Sequence, residues 1–209
     1  MNQVSTSDSV TLPPTARGRA TRQALLDAAE EVFGEFTYER ASVAEITRRA
    51  GVAQGTFYVY FPDKKAAFIE LVKELNHGLR KAIAMSIEGL TDRIAIERTG
   101  FRTFYDYVSR HNALYKIVRE AEFVSPEIYR WHYGRLAEGY VKGLEAAIAD
   151  GQLRPDLDVH TISYVLMGIA EFTGGQWVLG EGRPPPDDVF EQIIGFVERG
   201  LDAQKGTTR

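Results

Sequence analysis

The chain of 209 residues contains no cysteine. That absence excludes a disulfide scaffold and a thiolate metal site, and it fits a reducing cytoplasm, the expected location. No apolar run approaches the roughly 18 residues of a membrane span. The opening MNQVSTSDSVTLPPTA has neither a basic start nor an apolar block, so no secretory signal is expected. Its Ser, Thr and Pro content reads as a flexible tail over residues 1–16. The four histidines, His77, His111, His132 and His160, lack metal-ligand spacing. Glycine-rich phosphate loop, nucleophile elbow and His-Glu-x-x-His are missing as well. Neither an enzyme nor a metal or other cofactor is therefore expected. There is also no convincing strand pattern.

What is present is an ordinary globular composition, 44% apolar and 26% charged, sufficient for a real core. The net charge of −4 argues against binding nucleic acid over the whole surface. Its distribution is uneven. Residues 17–65 carry eight Arg/Lys against seven Asp/Glu, and residues 46–62 contain no acid at all. An acid-free island of that kind can face a phosphate backbone.

Helical periodicity runs through nearly the whole chain and predicts nine helices, an all-α fold. The first covers residues 18–36, with Leu25, Ala28, Ala29, Val32, Phe33 and Phe36 on one stripe. Ser42 followed by Glu45 is a capping-box pattern that starts a second helix at Val43, and Gly51 stops it after about two turns. A third short helix spans 54–61, broken by Pro62 and Asp63. Longer helices follow from Lys64, over 92–110 and 112–123, from Pro126 to Ala149, and over 158–180. The last is capped by Asp187 or Asp188.

Two short helices around a glycine corner form a helix-turn-helix arrangement. Ile46 and Ala50 face inward, and Val52 and Phe57 plug the corner. Gln54, Gly55, Thr56, Tyr58, Val59 and Tyr60 are left on the outer side of the third helix. Glutamine can bond adenine through two groups, Thr and Tyr can bond phosphates, and glycine permits close approach to a groove.

The stretch AGVAQGTFYVYFPDKK resembles the signature of TetR-family transcriptional regulators, and the resemblance runs from Arg19 to Phe68. It implies a three-helix DNA-binding domain over 17–63, with residues 54–60 as the recognition helix. Gln54, Gly55 and Tyr58 would lie at base edges. Thr56, Tyr60 and Lys64 would hold the DNA backbone, with Ser42 and Thr47 nearby and Arg17 and Arg19 as an arm. Two departures stand out: Ala53 replaces a capping serine, and Thr47 stands where alanine is usual.

Residues 64–209 then form a ligand-binding and dimerisation domain. Their density of aromatics suits a small hydrophobic or aromatic effector, for which Phe104, Tyr107, Phe123, Tyr129, Tyr133 and Trp177 are the candidate contacts. The resemblance implies such a pocket, a two-fold homodimer, and release of a palindromic double-stranded DNA operator when the effector binds. Ile162, Leu166, Ile169 and Thr173 with Ile193 and Val197 are the candidate dimer stripes; the alternative is that these stripes close the subunit's own core. The competing reading of the whole chain is an all-helical small-molecule or lipid carrier, or an enzyme, without DNA binding.

Overall fold

A computed structural model describes residues 13–202; residues 1–12 of the tail expected over 1–16 lie outside them, while Thr15 and Ala16 belong to the start of the first helix. Among the described residues there are nine α-helices and no strand. The helices are α1 (Ala16–Glu35), α2 (Val43–Ala50), α3 (Gln54–Tyr60), α4 (Lys64–Ser86), α5 (Arg93–Arg110), α6 (Leu114–Val124), α7 (Pro126–Ala149), α8 (Val159–Gly175) and α9 (Asp187–Leu201). A π-helical turn, Gln176–Gly180, continues α8. The sole extended pairing among these residues is an isolated bridge between Leu153 and Asp202.

Local sequence explains most helix ends. Thr15, Ser42, Asp92 and Asp158 each accept a hydrogen bond from a first-turn amide of the helix they precede, satisfying donors the helix cannot. At α9 the expected capping by Asp187 or Asp188 does not occur. Pro186 occupies the cap, and both aspartates lie in the first turn, where their charge complements the helix dipole.

By compactness the chain divides into two units, Met1–Gly78 with Ala113–Tyr133, and Leu79–Asn112 with Gly134–Arg209. Compactness therefore cuts inside α4 and α7 rather than at the expected functional boundary after residue 63.

In the first unit α1 is the central support. Its stripe of Leu25, Leu26, Ala29, Val32 and Phe33 is buried, as are Ile46, Phe57, Phe61 and Phe68 of the same unit. The Phe33 ring meets Phe68 edge-on at 5.1 Å and stacks near Tyr38 at 5.8 Å. Helix α6 seats Ala113 against Gly34, where a β-carbon would approach to 2.6 Å. Lys116 Nζ then donates to the Gly34 and Glu35 carbonyls at 2.8 and 3.2 Å, a cation on the open end of α1.

In the second unit the core gathers Phe101 and Tyr105 of α5, Leu144 of α7, Leu166 and Ala170 of α8, and Phe190, Ile194 and Val197 of α9. Tyr105 Oη and Thr173 Oγ1 share a hydrogen bond of 2.7 Å, which keeps a buried hydroxyl satisfied. The residues expected at a dimer interface mostly serve this core. Leu166 and Val197 are buried in it, Ile162, Ile169 and Ile193 pack against it, and Thr173 is tied to Tyr105. This is the alternative use of the stripes, closing the subunit's own core: α8 is apolar nearly all round, so periodicity does not distinguish the side turned to the core.

Candidate nucleic-acid interface

The corner between α2 and α3 is built from backbone hydrogen bonds and one special conformation. Gly51 sits at φ 67°, ψ 30°, the left-handed region that favours glycine. Its amide donates to the Arg48 carbonyl at 3.3 Å, and the next amide, of Val52, donates to Thr47 at 3.1 Å. Those two bonds are the Schellman closure of a helix. The chain is thereby redirected so that α3 starts three residues later.

Helix α3 holds on by one side. Phe57 and the following Phe61 are buried, each stabilising the anchor by roughly 1.5–3 kcal/mol. The other side faces outward. Gln54 and Gly55 are exposed, Tyr58 is 52% and Val59 77% exposed, and Thr56 and Tyr60 are half-buried. A β-carbon added at Gly55 would meet no atom within 4 Å, so nothing inside the protein requires a glycine there. The Tyr60 hydroxyl lies near the first turn of α1, 3.6 Å from where a β-carbon on Gly18 would stand. Ala53 makes no side-chain cap bond, leaving α3 as the weakest-capped element of the domain.

Electrostatics sort the basic residues into two groups. Arg22 is buried against Glu70 at 2.9 Å and Glu74 at 3.9 Å, and Arg49 is clasped by Glu31, Glu35 and Glu45. Both are committed internally. Arg48 shares Glu45 but is largely exposed, and hydrogen bonds from Arg48 and Arg49 hold the Glu45 carboxyl down to about 2. Arg17, Arg19 and Lys65 are exposed, Arg19 bonding the Pro13 and Pro14 carbonyls at 3.2 and 2.9 Å.

Two residues assigned to DNA are corrected. Lys64 Nζ donates to the carbonyls of Tyr38, Ala41 and Glu39 at 2.7, 2.9 and 3.5 Å and sits 4.3 Å from the Tyr38 ring centre. Its donors fasten the α1–α2 loop and are not available to a phosphate. Thr47 is buried, its hydroxyl donating back to Val43 and Ala44 carbonyls. Ser42, Gln54, Gly55, Thr56, Tyr58 and Tyr60 remain on the accessible side.

The six aromatics expected to line an effector pocket are spread over several sites. Phe104 packs on the second unit's core, and Tyr107 is buried and stacked on His111 at 4.4 Å. Phe123 is 85% exposed. Tyr129 and Tyr133 pair edge-on at 5.0 Å in the first unit, and Trp177 lies under Arg183. None of them lines the cavity of about 360 Å³ that the second unit contains. That cavity lies among the C-terminal half of α4, the N-terminal half of α5 and the middle of α7, walled by Ile83, Ile87, Ile96 and Leu136 with Arg93 and Glu97. On α5 the cavity takes Arg93, Ile96, Glu97 and Gly100, while the aromatics Phe101 and Tyr105 point into the core. The missed signal was the i, i+4, i+7 series Arg93, Glu97, Gly100, which sequence periodicity files as a solvated face.

A short acid-free helix, anchored by two phenylalanines and presenting polar and aromatic side chains outward, defines a helix-turn-helix DNA-binding protein. Residues 25–71 match the family described as bacterial regulatory proteins, tetR family. Over nearly the full length the chain is 26% identical to the uncharacterised HTH-type transcriptional regulator YdgC of Bacillus subtilis, covering 89% of this chain and 95% of that one. It is 27% identical to the fatty acid metabolism regulator protein of the same organism, covering 85% and 93%. The solved structure of the fatty acid degradation regulator FadR from Bacillus halodurans superposes with a TM-score of 0.72 at 20% identity, covering 85% and 94%, and shares the fold. Residues 25–71 thus match the DNA-binding segment of the tetR family, in a chain that is similar over most of its length to HTH-type transcriptional regulators.

Proposed function

We propose that this chain is a dimeric repressor that holds a palindromic operator through α3 and lets go when a small apolar molecule occupies the cavity of the second unit. The observation that carries the DNA contact is the outward face of α3, free of acid and backed by a buried hydrophobic anchor. Gln54, Gly55 and Tyr58 read base edges; Thr56, Tyr60 and the Ser42 hydroxyl hold phosphates.

Dimerisation is supported by a different apolar face from the one first expected. Tyr164, Val165 and Phe172 of α8, Leu179 of the π turn and Phe196 of α9 are exposed. Large exposed apolar side chains in one region mark an interaction surface. A two-fold pairing through it brings two α3 helices to successive half-sites, about one turn of DNA apart. An aliphatic effector fits the isoleucine-rich cavity and is in keeping with the names of the fatty acid regulators to which the chain is similar. Helix α4 belongs to both units and is the route by which occupancy reaches the DNA-binding end.

The test is fluorescence anisotropy with a duplex selected by the protein from a random library. Tyr58→Ala should weaken that duplex by about 1–3 kcal/mol while scrambled duplexes bind as before. Equal affinity of wild type and variant for the selected duplex refutes the assigned role.

A further inference from the structure

The cavity of the second unit has apolar walls but a charged floor. Arg93 is 6% exposed and Glu97 2% exposed, and Arg93 Nη2 donates to Glu97 Oε1. Burying such a pair costs several kcal/mol per ion, and apolar replacements are often as stable, so stability alone does not account for it. The pair is nonetheless firmly seated. The Arg93 amide donates to Gln152 Oε1 at 2.8 Å, and Gln152 Nε2 donates to the Thr91 carbonyl at 3.1 Å. On α7, a β-carbon at Gly143 would collide with Arg93 Nη1, so the guanidinium occupies its present place only because that residue is glycine.

One donor of this assembly is unused: Arg93 Nε is buried and meets no acceptor. Buried donors in native proteins are nearly always paired. The charged residues of the lining are Arg80, Arg93, Arg135 and Lys142 against Glu97 and Glu138, a formal excess of two positive charges. Burial pushes the Glu97 carboxyl up against the opposing pull of Arg93.

We infer that Arg93 reads the head group of the effector, which is an aliphatic molecule presenting a carboxylate oxygen to Nε. The inference rests on the effector cavity proposed above. A carboxylate is acceptor-only and carries the charge that the lining lacks. An ammonium head group would set donor against donor, and a neutral ester would answer Nε but leave the charge excess. A volume of about 360 Å³ is at the small end of ligand sites, which fits a tail of medium length.

The experiment is calorimetric titration of the full chain with decanoate, methyl decanoate and decylammonium. Wild type should bind decanoate at least tenfold more tightly than decylammonium, with the ester between. The double variant Arg93→Met, Glu97→Leu removes both charges and keeps the volume. It should retain its circular dichroism and operator binding yet lose tenfold or more in decanoate affinity. Should the double variant misfold, Gly143→Ala displaces the guanidinium alone and should erase the preference for the acid. Unchanged decanoate affinity in the folded variant means that only water serves Nε and overturns the inference. So does a wild type that binds none of the three probes or does not distinguish them. Operator binding without probe, measured on the same preparations, reports separately on the DNA-binding reading.

Discussion

His132 makes the first unit sensitive to acid. It lies on α7, 4% exposed, against Asn76 of α4. Asn76 Nδ2 donates to the His132 carbonyl at 3.1 Å and lies 3.2 Å from His132 Nδ1. A carbonyl can only accept, so the Asn76 amide nitrogen is fixed there. The imidazole Nδ1 beside it must then be an acceptor, and a proton on it would face an N–H. Burial pushes the imidazole down to about 4. An unfolded histidine titrates near 6.5, so the unfolded chain holds the extra proton between pH 6.5 and 4. Stability contributed by neutral His132 is fully present above pH 6.5 and is lost as pH falls through that window. The full loss is roughly 3 kcal/mol, and about 2 kcal/mol of it accrues by pH 5. Urea unfolding followed by circular dichroism at pH 7.5 and 5.0 measures it. His132→Gln, which cannot titrate, should lack that part of the loss, while His77, His111, His160 and the carboxylates contribute equally to both proteins. Identical pH dependence in wild type and variant would falsify the assignment.

Three further outcomes are expected. Lys64→Met should lower stability by about 1.5–3 kcal/mol in thermal melts, because charge-assisted bonds to the α1–α2 loop disappear; the slope of DNA affinity with salt should stay as it was, and a slope reduced by about one would restore Lys64 to the phosphates. Ala53→Ser should supply the missing cap of α3 and raise stability by about 1 kcal/mol, read from the urea midpoint; no gain would mean that the N-terminal amides of α3 are already satisfied. Phe172→Glu should give monomers in sedimentation velocity while the secondary structure persists, whereas an intact dimer would put the interface on another face.

Where one local rule governs a feature, the residues declare it. Ser42 with Glu45 and Gly51 mark α2 to the residue, because a cap bond and a left-handed corner each demand a particular side chain. Pro126 opens α7 for the same kind of reason. Features decided by the register of several helices are not declared. Ile162, Leu166 and Ile169 alternate along α8 with Tyr164, Val165 and Phe172, and which set turns inward depends on where α5 and α9 lie. The cavity depends likewise on three helices, and the aromatic residues expected to line it lie elsewhere: Phe104 packs on the core, Phe123 is exposed, and Tyr129 pairs with Tyr133. Lys64 looked like a phosphate contact because its nearest acceptors, the carbonyls of residues 38–41, are supplied by a loop some 25 positions earlier.

Gly55 sets fold and function at odds. Alanine there would touch nothing and would favour the helix by roughly 0.8–1 kcal/mol. A screen that ranks variants by melting temperature would therefore promote the substitution, while a groove edge pressed against that backbone would reject it. On the proposed docking the constraint on this position comes from the shape of duplex DNA, and a library stabilised on that reading would have to hold position 55 constant to stay functional.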